Sequence, residues 1–167
     1  MTLLKIGLLL SLLGITWEDF CYRAVHIGWF IAFGLFGGVL TLWQYGWLNI
    51  LQNILLNLGF VGLQLILITI YFSFKNGKSI NITDQYLGWG DIVFIVLLAV
   101  LFNPIWFVIY YTFSLTIVLV AFMIYRLLSN NPSSTIPLAG GMAICTMALL
   151  TLGWFSSINW HEMPQLI

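Results

Sequence analysis

The stretch Gly88-Trp89-Gly90-Asp91 is followed by eleven apolar residues, 92–102 (IVFIVLLAVLF). Eleven residues rise about 17 Å as a helix, whereas the apolar core of a bilayer is about 30 Å thick and needs roughly 20 residues. If this stretch crosses a membrane, its helix must begin well before Asp91, and the carboxyl group then lies below the membrane surface. An acid at that depth is costly and marks a candidate functional site.

The composition of the chain is typical of a membrane protein. Of its 167 residues, 62% are hydrophobic and 6% are charged, whereas a soluble domain carries about 25% charged residues. The length fits one domain, so we expect residues 1–167 to form a single six-helix membrane domain in contact with membrane lipid. The formal net charge is zero, and no basic patch favours nucleic acid as a partner.

Six apolar segments predict an all-α, polytopic membrane protein with six transmembrane helices. Within the third segment, Asn53, Asn57 and Gln64 recur near helical spacing; they either line a polar seam between helices or are ordinary packing residues. The six segments cover residues 3–20, 25–43, 50–74, 86–102, 105–125 and 136–155.

The basic residues predict the orientation of these spans, because Lys and Arg concentrate in cytoplasmic connections. Only Lys5 lies on the side that holds both termini, so we expect the termini outside. The connections after the first, third and fifth spans, which we expect in the cytoplasm, hold the other four of the five basic residues: Arg23, Lys75, Lys78 and Arg126.

Two acidic residues are expected on the same, cytoplasmic side. Asp19 ends the first span and Asp91 begins the fourth, with two complete crossings between them. Lys5 and Asp19 are separated by about 21 Å of helix, which is short of a full crossing, so Asp19 also lies inside the inner surface. We expect Glu18 to be a surface acid and Asp84 to be a loop or capping residue.

Two carboxyl groups within hydrogen-bond reach cannot both ionise easily, so such a pair shares a proton. One carboxylate can then take a proton from a water while the other gives one to an amide carbonyl. This chemistry needs no cofactor and no metal. Cys21 and Cys145 lie far apart without CxxC spacing, so they indicate no metal site. Gly88 and Gly90 lack side chains, so a substrate strand could approach the backbone beside Asp91.

Residues 88–91 (GWGD) resemble the GxGD signature of the membrane aspartyl proteases that process type IV prepilins and archaeal preflagellins, the prepilin peptidase family. In that family the first catalytic Asp ends an early span and a short basic loop follows, and residues 19–23 (DFCYR) are similar to this D-x-x-x-R pattern. The family also tends to carry Pro in a small-residue stretch at the start of the last span, as residues 135–141 (TIPLAGG) do.

The resemblance implies an aspartic endopeptidase that cleaves the leader of a pilin-like precursor protein at the cytoplasmic face of a prokaryotic inner membrane. Asp19 and Asp91 would be the catalytic pair, and an activated water the nucleophile. Gly88, Gly90 and Arg23 would contact the substrate, although Arg23 is also explained as a topology anchor.

The chain departs from the family pattern in two respects. Val25-His26 stands where the family usually has Ile-Pro. The chain has only two cysteines, so it lacks the two CxxC pairs of the larger bifunctional members. The chain therefore resembles a short, peptidase-only member.

Two other classes of function stay open. A small transporter or an ion or proton pathway would use Asp19 and Asp91 as a cation or proton site, although we find no inverted repeat of the kind common in transporters. A non-catalytic membrane scaffold would use the same acids as helix caps. A short separation between the two carboxyl groups favours the protease, and a large one favours the scaffold.

Overall fold

The computed structural model describes residues 1–76, 88–129 and 136–155, and the statements below concern these ranges. Asp84, Lys78 and Thr135 lie outside them. The described residues form six α-helices and no strand, so the predicted all-α class is confirmed for them. The helices are α1 (Thr2–Tyr22), α2 (Ile27–Tyr45), α3 (Trp47–Asn76), α4 (Trp89–Leu101), α5 (Pro104–Leu128) and α6 (Leu138–Phe155).

Two of the described helices are long and apolar enough to cross a membrane, judged by length and composition. These are the segment Trp47–Tyr71 within α3 and the whole of α5, Pro104–Leu128. The apolar parts of α2, α4 and α6 are shorter, at 10–17 residues each.

The beginning of the fourth helix was predicted wrongly from the sequence. α4 begins at Trp89, only two residues before Asp91, because Gly88 has extended backbone (φ −67°, ψ 146°). Its 13 residues rise only about 20 Å. The apolar run therefore identified the helix, but the backbone conformation of one glycine decides where it starts.

The distribution of side chains places large apolar groups both inside and outside the bundle. The fully buried ones include Leu8, Leu12, Phe33, Phe94, Leu98, Phe107 and Met142. Side chains of the same type are exposed on the outer faces of the helices, among them Leu10, Leu35, Leu55, Ile66, Phe113 and Met123. The outer faces of the described helices thus carry many exposed large apolar side chains.

Asn57 caps the end of α4. Its side chain is 1% exposed, and its amide nitrogen donates to the carbonyls of Ala99 and Phe102, each over 2.9 Å. The last carbonyls of a helix have no partner within the helix, so Asn57 of α3 supplies one. Of the two interpretations of this residue, the polar contact between helices is the one observed.

The helices α1 and α6 run antiparallel and in contact. At one end of the bundle the Lys5 ammonium lies 4.9 Å from the centroid of the Trp154 ring. At the other end Asp19 is hydrogen-bonded to Gly140. The end of α1, the start of α4 and the start of α6 therefore meet at one end of the bundle.

The close approach of α1 to α2 depends on a glycine. A Cβ atom on Gly14 would overlap the ring of Trp29. The same ring donates its Nε1–H to Glu18, so it is held in place while it covers the glycine. Small residues of this kind let two helix backbones approach closely.

We predict that Gly14→Ala destabilises the protein by about 1–3 kcal/mol, the usual cost of overpacking a close contact. Gly38→Ala is the matched control, because a Cβ there meets nothing within 4 Å and Ala has the better helix propensity. Thermal unfolding of both variants in detergent measures the difference. A Gly14→Ala variant as stable as Gly38→Ala would contradict the observed packing.

Candidate active site

The first turn of α6 has backbone donors that its own sequence cannot satisfy. Pro137 precedes the helix, and its carbonyl accepts the N–H of Gly141 over 3.0 Å. The first N–H groups of a helix have no partner within the helix, and proline has no side-chain oxygen with which to cap them. The N–H groups of Ala139 and Gly140 therefore need acceptors from elsewhere in the fold.

Two aspartates from two other helices supply these acceptors. The N–H of Ala139 donates to Oδ1 of Asp91 over 2.9 Å, and the N–H of Gly140 donates to Oδ2 of Asp19 over 2.6 Å. Since the two nitrogens are separated by three backbone bonds, the two bonded oxygens lie within roughly 10 Å of each other. The structure thus brings Asp19 and Asp91 side by side at one helix N-terminus, whose partial positive charge favours carboxylates.

Asp19 lies in the last turn of α1 and is 7% exposed. The helix ends at Tyr22, and the next residue, Arg23, has left-handed backbone (φ 55°, ψ 22°) and donates its N–H to the carbonyl of Asp19. This is a common way to end a helix. The Arg23 side chain is exposed, and its positive charge acts on the Asp19 carboxyl. Arg23 is therefore near the site but at its solvent edge.

Asp91 lies in the first turn of α4 and is half-buried. Its backbone N–H donates to the carbonyl of Gly88 over 3.1 Å. A Cβ on Gly88 would lie 3.2 Å from Oδ2 of Asp91. Oδ1 of Asp91 is bonded to α6. Because Gly88 has no side chain, the space beside the other oxygen, Oδ2, stays open.

Gly90 lies against α2. A Cβ on Gly90 would make ordinary contacts of 3.7–3.9 Å with the ring of Phe30 on α2. An alanine there would fit without displacing Asp91. Of the two glycines predicted to border the substrate, only Gly88 lies against the Asp91 carboxylate.

Glu18 points away from the aspartate pair. Its Oε2 accepts the backbone N–H of His26 over 2.6 Å, and its Oε1 accepts the Nε1–H of Trp29 over 2.9 Å. The side chain therefore caps the start of α2 and ties it to the end of α1. The prediction of a surface acid left out this structural contact.

The backbone donors Ala139 and Gly140 were missed by reasoning from the sequence, which used residues 135–141 only for their resemblance to a family pattern. A Cβ on Gly140 would lie 3.0 Å from both Cβ and Oδ2 of Asp19, so packing and hydrogen bonding are combined at this residue. Pro137 could have indicated these donors, because a helix that starts after proline lacks a side-chain cap of its own.

Within the described ranges, no group of three or more His, Cys, Asp or Glu residues could hold a metal ion. Cys21 and Cys145 are free thiols. The fold and the site together define a helical protein with a pair of carboxylates held at one end of the bundle. Comparisons with models of protein families, with curated proteins and with solved structures find no match to this chain.

We predict that Asp19→Ala and Asp91→Ala each destabilise the protein by about 1 kcal/mol, the usual cost of losing a helix cap. Asp19→Asn and Asp91→Asn should stay near wild-type stability, since an Asn side-chain oxygen accepts the same hydrogen bond. Thermal unfolding of the four purified variants in detergent tests this. Alanine and asparagine variants of equal stability would mean that the hydrogen bonds to α6 contribute little.

Proposed function

We propose that this chain is a six-span membrane protein of a prokaryotic cytoplasmic membrane and that it acts there as an aspartic endopeptidase. The membrane placement is supported by the apolar outer faces of the helices, which a water-soluble monomer rarely exposes over more than a few hundred Å². It is also supported by α3 and α5, which are long and apolar enough to cross a bilayer. The apolar outer faces of the helices would then contact membrane lipid.

In this proposal both termini lie outside, and the aspartate pair faces the cytoplasm. The distribution of the basic residues supports this orientation. α4 has 13 residues and is roughly 10 Å shorter than the apolar core of a bilayer. If its far end reaches the outer surface, its beginning lies well inside the inner one. Asp91 would then act below the membrane surface, within reach of a membrane-anchored substrate.

The observation that carries the proposal is the pairing of Asp19 with Asp91 on adjacent backbone N–H groups. Each hydrogen bond to α6 engages one oxygen of a carboxylate, Oδ2 of Asp19 and Oδ1 of Asp91. A carboxylate has about four lone-pair sites, so each group keeps the capacity to bind a water or a substrate carbonyl. The backbone bonds would hold the two acids in position during the reaction.

The reaction follows from one ionised and one protonated carboxyl group. The carboxylate takes a proton from a water, whose oxygen bonds to the carbonyl carbon of the peptide, while the second carboxyl gives its proton to the carbonyl oxygen. When the resulting diol collapses, the C–N bond breaks, and the nitrogen takes the proton held by the first carboxyl. The second carboxyl recovers a proton from the diol, so the pair returns to its starting state.

The proposed substrate is a pilin-like precursor whose short basic leader is removed at the cytoplasmic face. This substrate class rests on the resemblance of residues 88–91 and 19–23 to the prepilin peptidase family. Gly88 would let the substrate backbone approach Asp91, and Arg23 would meet an acidic group of the substrate at the edge of the site. Gly90 would act through the packing of α4 on Phe30 and not through direct contact.

A transporter or pathway for a metal cation is a less favoured alternative. Both carboxylates accept hydrogen bonds from the N-terminus of α6, and the partial positive charge of a helix N-terminus disfavours a cation at the same place. The same bonds do not hinder a pair of acids that handles protons and a water.

We predict that Asp19→Asn and Asp91→Asn each abolish cleavage, because each carboxyl has its own proton to transfer. The decisive experiment is co-expression of each variant with candidate pilin-like precursors from the same genome, with loss of the leader measured by size. Glu18→Gln is the matched control and should keep substantial activity, since Glu18 contacts α2 and not the pair. Cleavage by both Asn variants at the wild-type rate would leave the aspartates as structural caps.

We further predict that Gly88→Ala lowers cleavage more than Gly90→Ala does. An added methyl group at position 88 would crowd Oδ2 of Asp91, whereas at position 90 it would meet only Phe30 at ordinary distance. Both variants should insert and purify normally, because the backbone at Gly88 has negative φ. The measurement is the initial rate on one precursor at matched protein levels, and the opposite order would argue against an open space at Gly88.

A further inference from the structure

The side chain of Tyr110 joins the end of α4 to the first half of α6. Tyr110 lies in α5 and is 6% exposed. Its ring stacks on Phe102, the residue that follows α4, with the two ring centroids 4.9 Å apart. Its hydroxyl donates to the carbonyl of Met142 in α6 over 2.9 Å, and it is 2.7 Å from Oγ1 of Thr146. One buried side chain therefore contacts both helices at the same time.

The same two helices are also joined at the aspartate pair. The N–H of Ala139 in the first turn of α6 donates to Oδ1 of Asp91 in the first turn of α4. Met142 follows Ala139 by three residues, which is less than one helical turn, so the two backbone groups move together. A shift of α6 along α4 would therefore lengthen the hydrogen bond at Asp91 and the one at Tyr110 together.

A close contact holds the start of α6 against α5 at a second point. A Cβ on Gly141 would lie 2.7 Å from Cγ2 of Val118, and Val118 is itself buried. Gly141 directly follows Gly140, whose N–H is bonded to Asp19. The position of α5 therefore bears on the backbone donors of both aspartates.

The hydroxyl of Tyr110 can be removed without leaving its neighbours in α6 unsatisfied. Oγ1 of Thr146 donates to the carbonyl of Met142 over 2.8 Å, so these two groups keep each other as partners. A phenylalanine at position 110 would keep the ring on Phe102. Tyr110→Phe therefore removes the link from α5 to α6 and little else.

We propose that Tyr110 is a positioning residue for the aspartate pair. It keeps α4 and α6 in register, so that the N–H groups of Ala139 and Gly140 stay on the carboxylates of Asp91 and Asp19. The effect of Tyr110 on catalysis rests on the proposed endopeptidase function, whereas its effect on these hydrogen bonds does not. Tyr110 acts through the backbone of α6 and not by contact with the acids.

Tyr111 is the matched control, because it is the next residue of the same helix and is also 6% exposed. Its hydroxyl contacts the side chain of Gln64 on α3, and its ring packs edge-on against Phe60, also on α3. Tyr111→Phe therefore removes a buried hydroxyl of the same kind whose contact is with α3 and not with α6.

The amide signal of Gly140 reports the hydrogen bond to Asp19 without an assay of activity. Ala139-Gly140 is the only Ala-Gly pair in the chain. Alanine labelled with 13C at the carbonyl and glycine labelled with 15N therefore give one HNCO signal for the full-length protein in detergent. A hydrogen bond to a carboxylate is short and strong and moves the amide proton downfield. We expect Tyr110→Phe to move this signal upfield and Tyr111→Phe to leave it in place; an unmoved signal in Tyr110→Phe would overturn the proposal.

The cleavage assay measures the consequence for the reaction. We expect Tyr110→Phe to lower kcat by about three- to tenfold, the equivalent of one hydrogen bond, and to leave KM unchanged, because the carboxylates lose their alignment while the contacts to the substrate remain. Tyr111→Phe should keep the wild-type kcat even where its melting temperature falls as far. Equal losses of kcat in the two variants would mean that the hydroxyl of Tyr110 serves stability alone.

A second pair of substitutions tests the same register from the other contact. Gly141→Ala should push α6 away from α5, move the Gly140 signal upfield and lower kcat. Val118→Ala makes room for the added methyl group, so the double variant should recover both the signal and kcat. A double variant as impaired as Gly141→Ala would contradict the control of the pair by α5.

The two readouts separate this inference from the proposed function. If the wild type cleaves a precursor and Tyr110→Phe keeps both the wild-type kcat and the Gly140 signal, the positioning role fails and the endopeptidase stands. If the wild type cleaves no precursor but the Gly140 signal moves in Tyr110→Phe and not in Tyr111→Phe, the endopeptidase fails and Tyr110 still positions the pair.

Discussion

The arrangement of the bundle depends on how the N-terminus of α6 is capped. A helix that begins after Pro137 has no side-chain oxygen of its own for its first N–H groups, and burial of these groups without partners would be costly. Asp19 and Asp91 supply the two acceptors from α1 and α4. The same pair of hydrogen bonds therefore fixes the relative positions of three helices and brings the two acids together.

Glycines determine how closely the elements around this junction approach. Gly140 has no room for a Cβ beside Asp19, and Gly88 has little beside Asp91. Larger residues at these positions would press on the carboxylates and lengthen the hydrogen bonds to α6. At the opposite end of α4, Asn57 takes up the free carbonyls. The short helix that carries Asp91 is thus held at both ends by groups from other helices.

The sequence predicted what depends on side-chain pattern and missed what depends on backbone. Long apolar runs identified all six described helices, and the number of crossings between Asp19 and Asp91 placed them at one end. The start of α4 was missed, because hydrophobicity does not register the extended backbone of Gly88. The donors Ala139 and Gly140 were missed for a related reason, since a backbone N–H is present at every residue except proline and acquires a role only through tertiary packing.

The choice of aspartate at both positions is itself informative. As helix caps, Asn and Ser are about as effective as Asp, and a neutral group is less costly to bury than a charged one. Asp19 and Asp91 also repel each other when both are ionised. As caps for the N-terminus of α6, two aspartates are therefore more costly to bury than two neutral acceptors such as Asn or Ser would be. That cost is accounted for if the pair shares a proton and uses it, which the proposed hydrolysis requires and a scaffold does not.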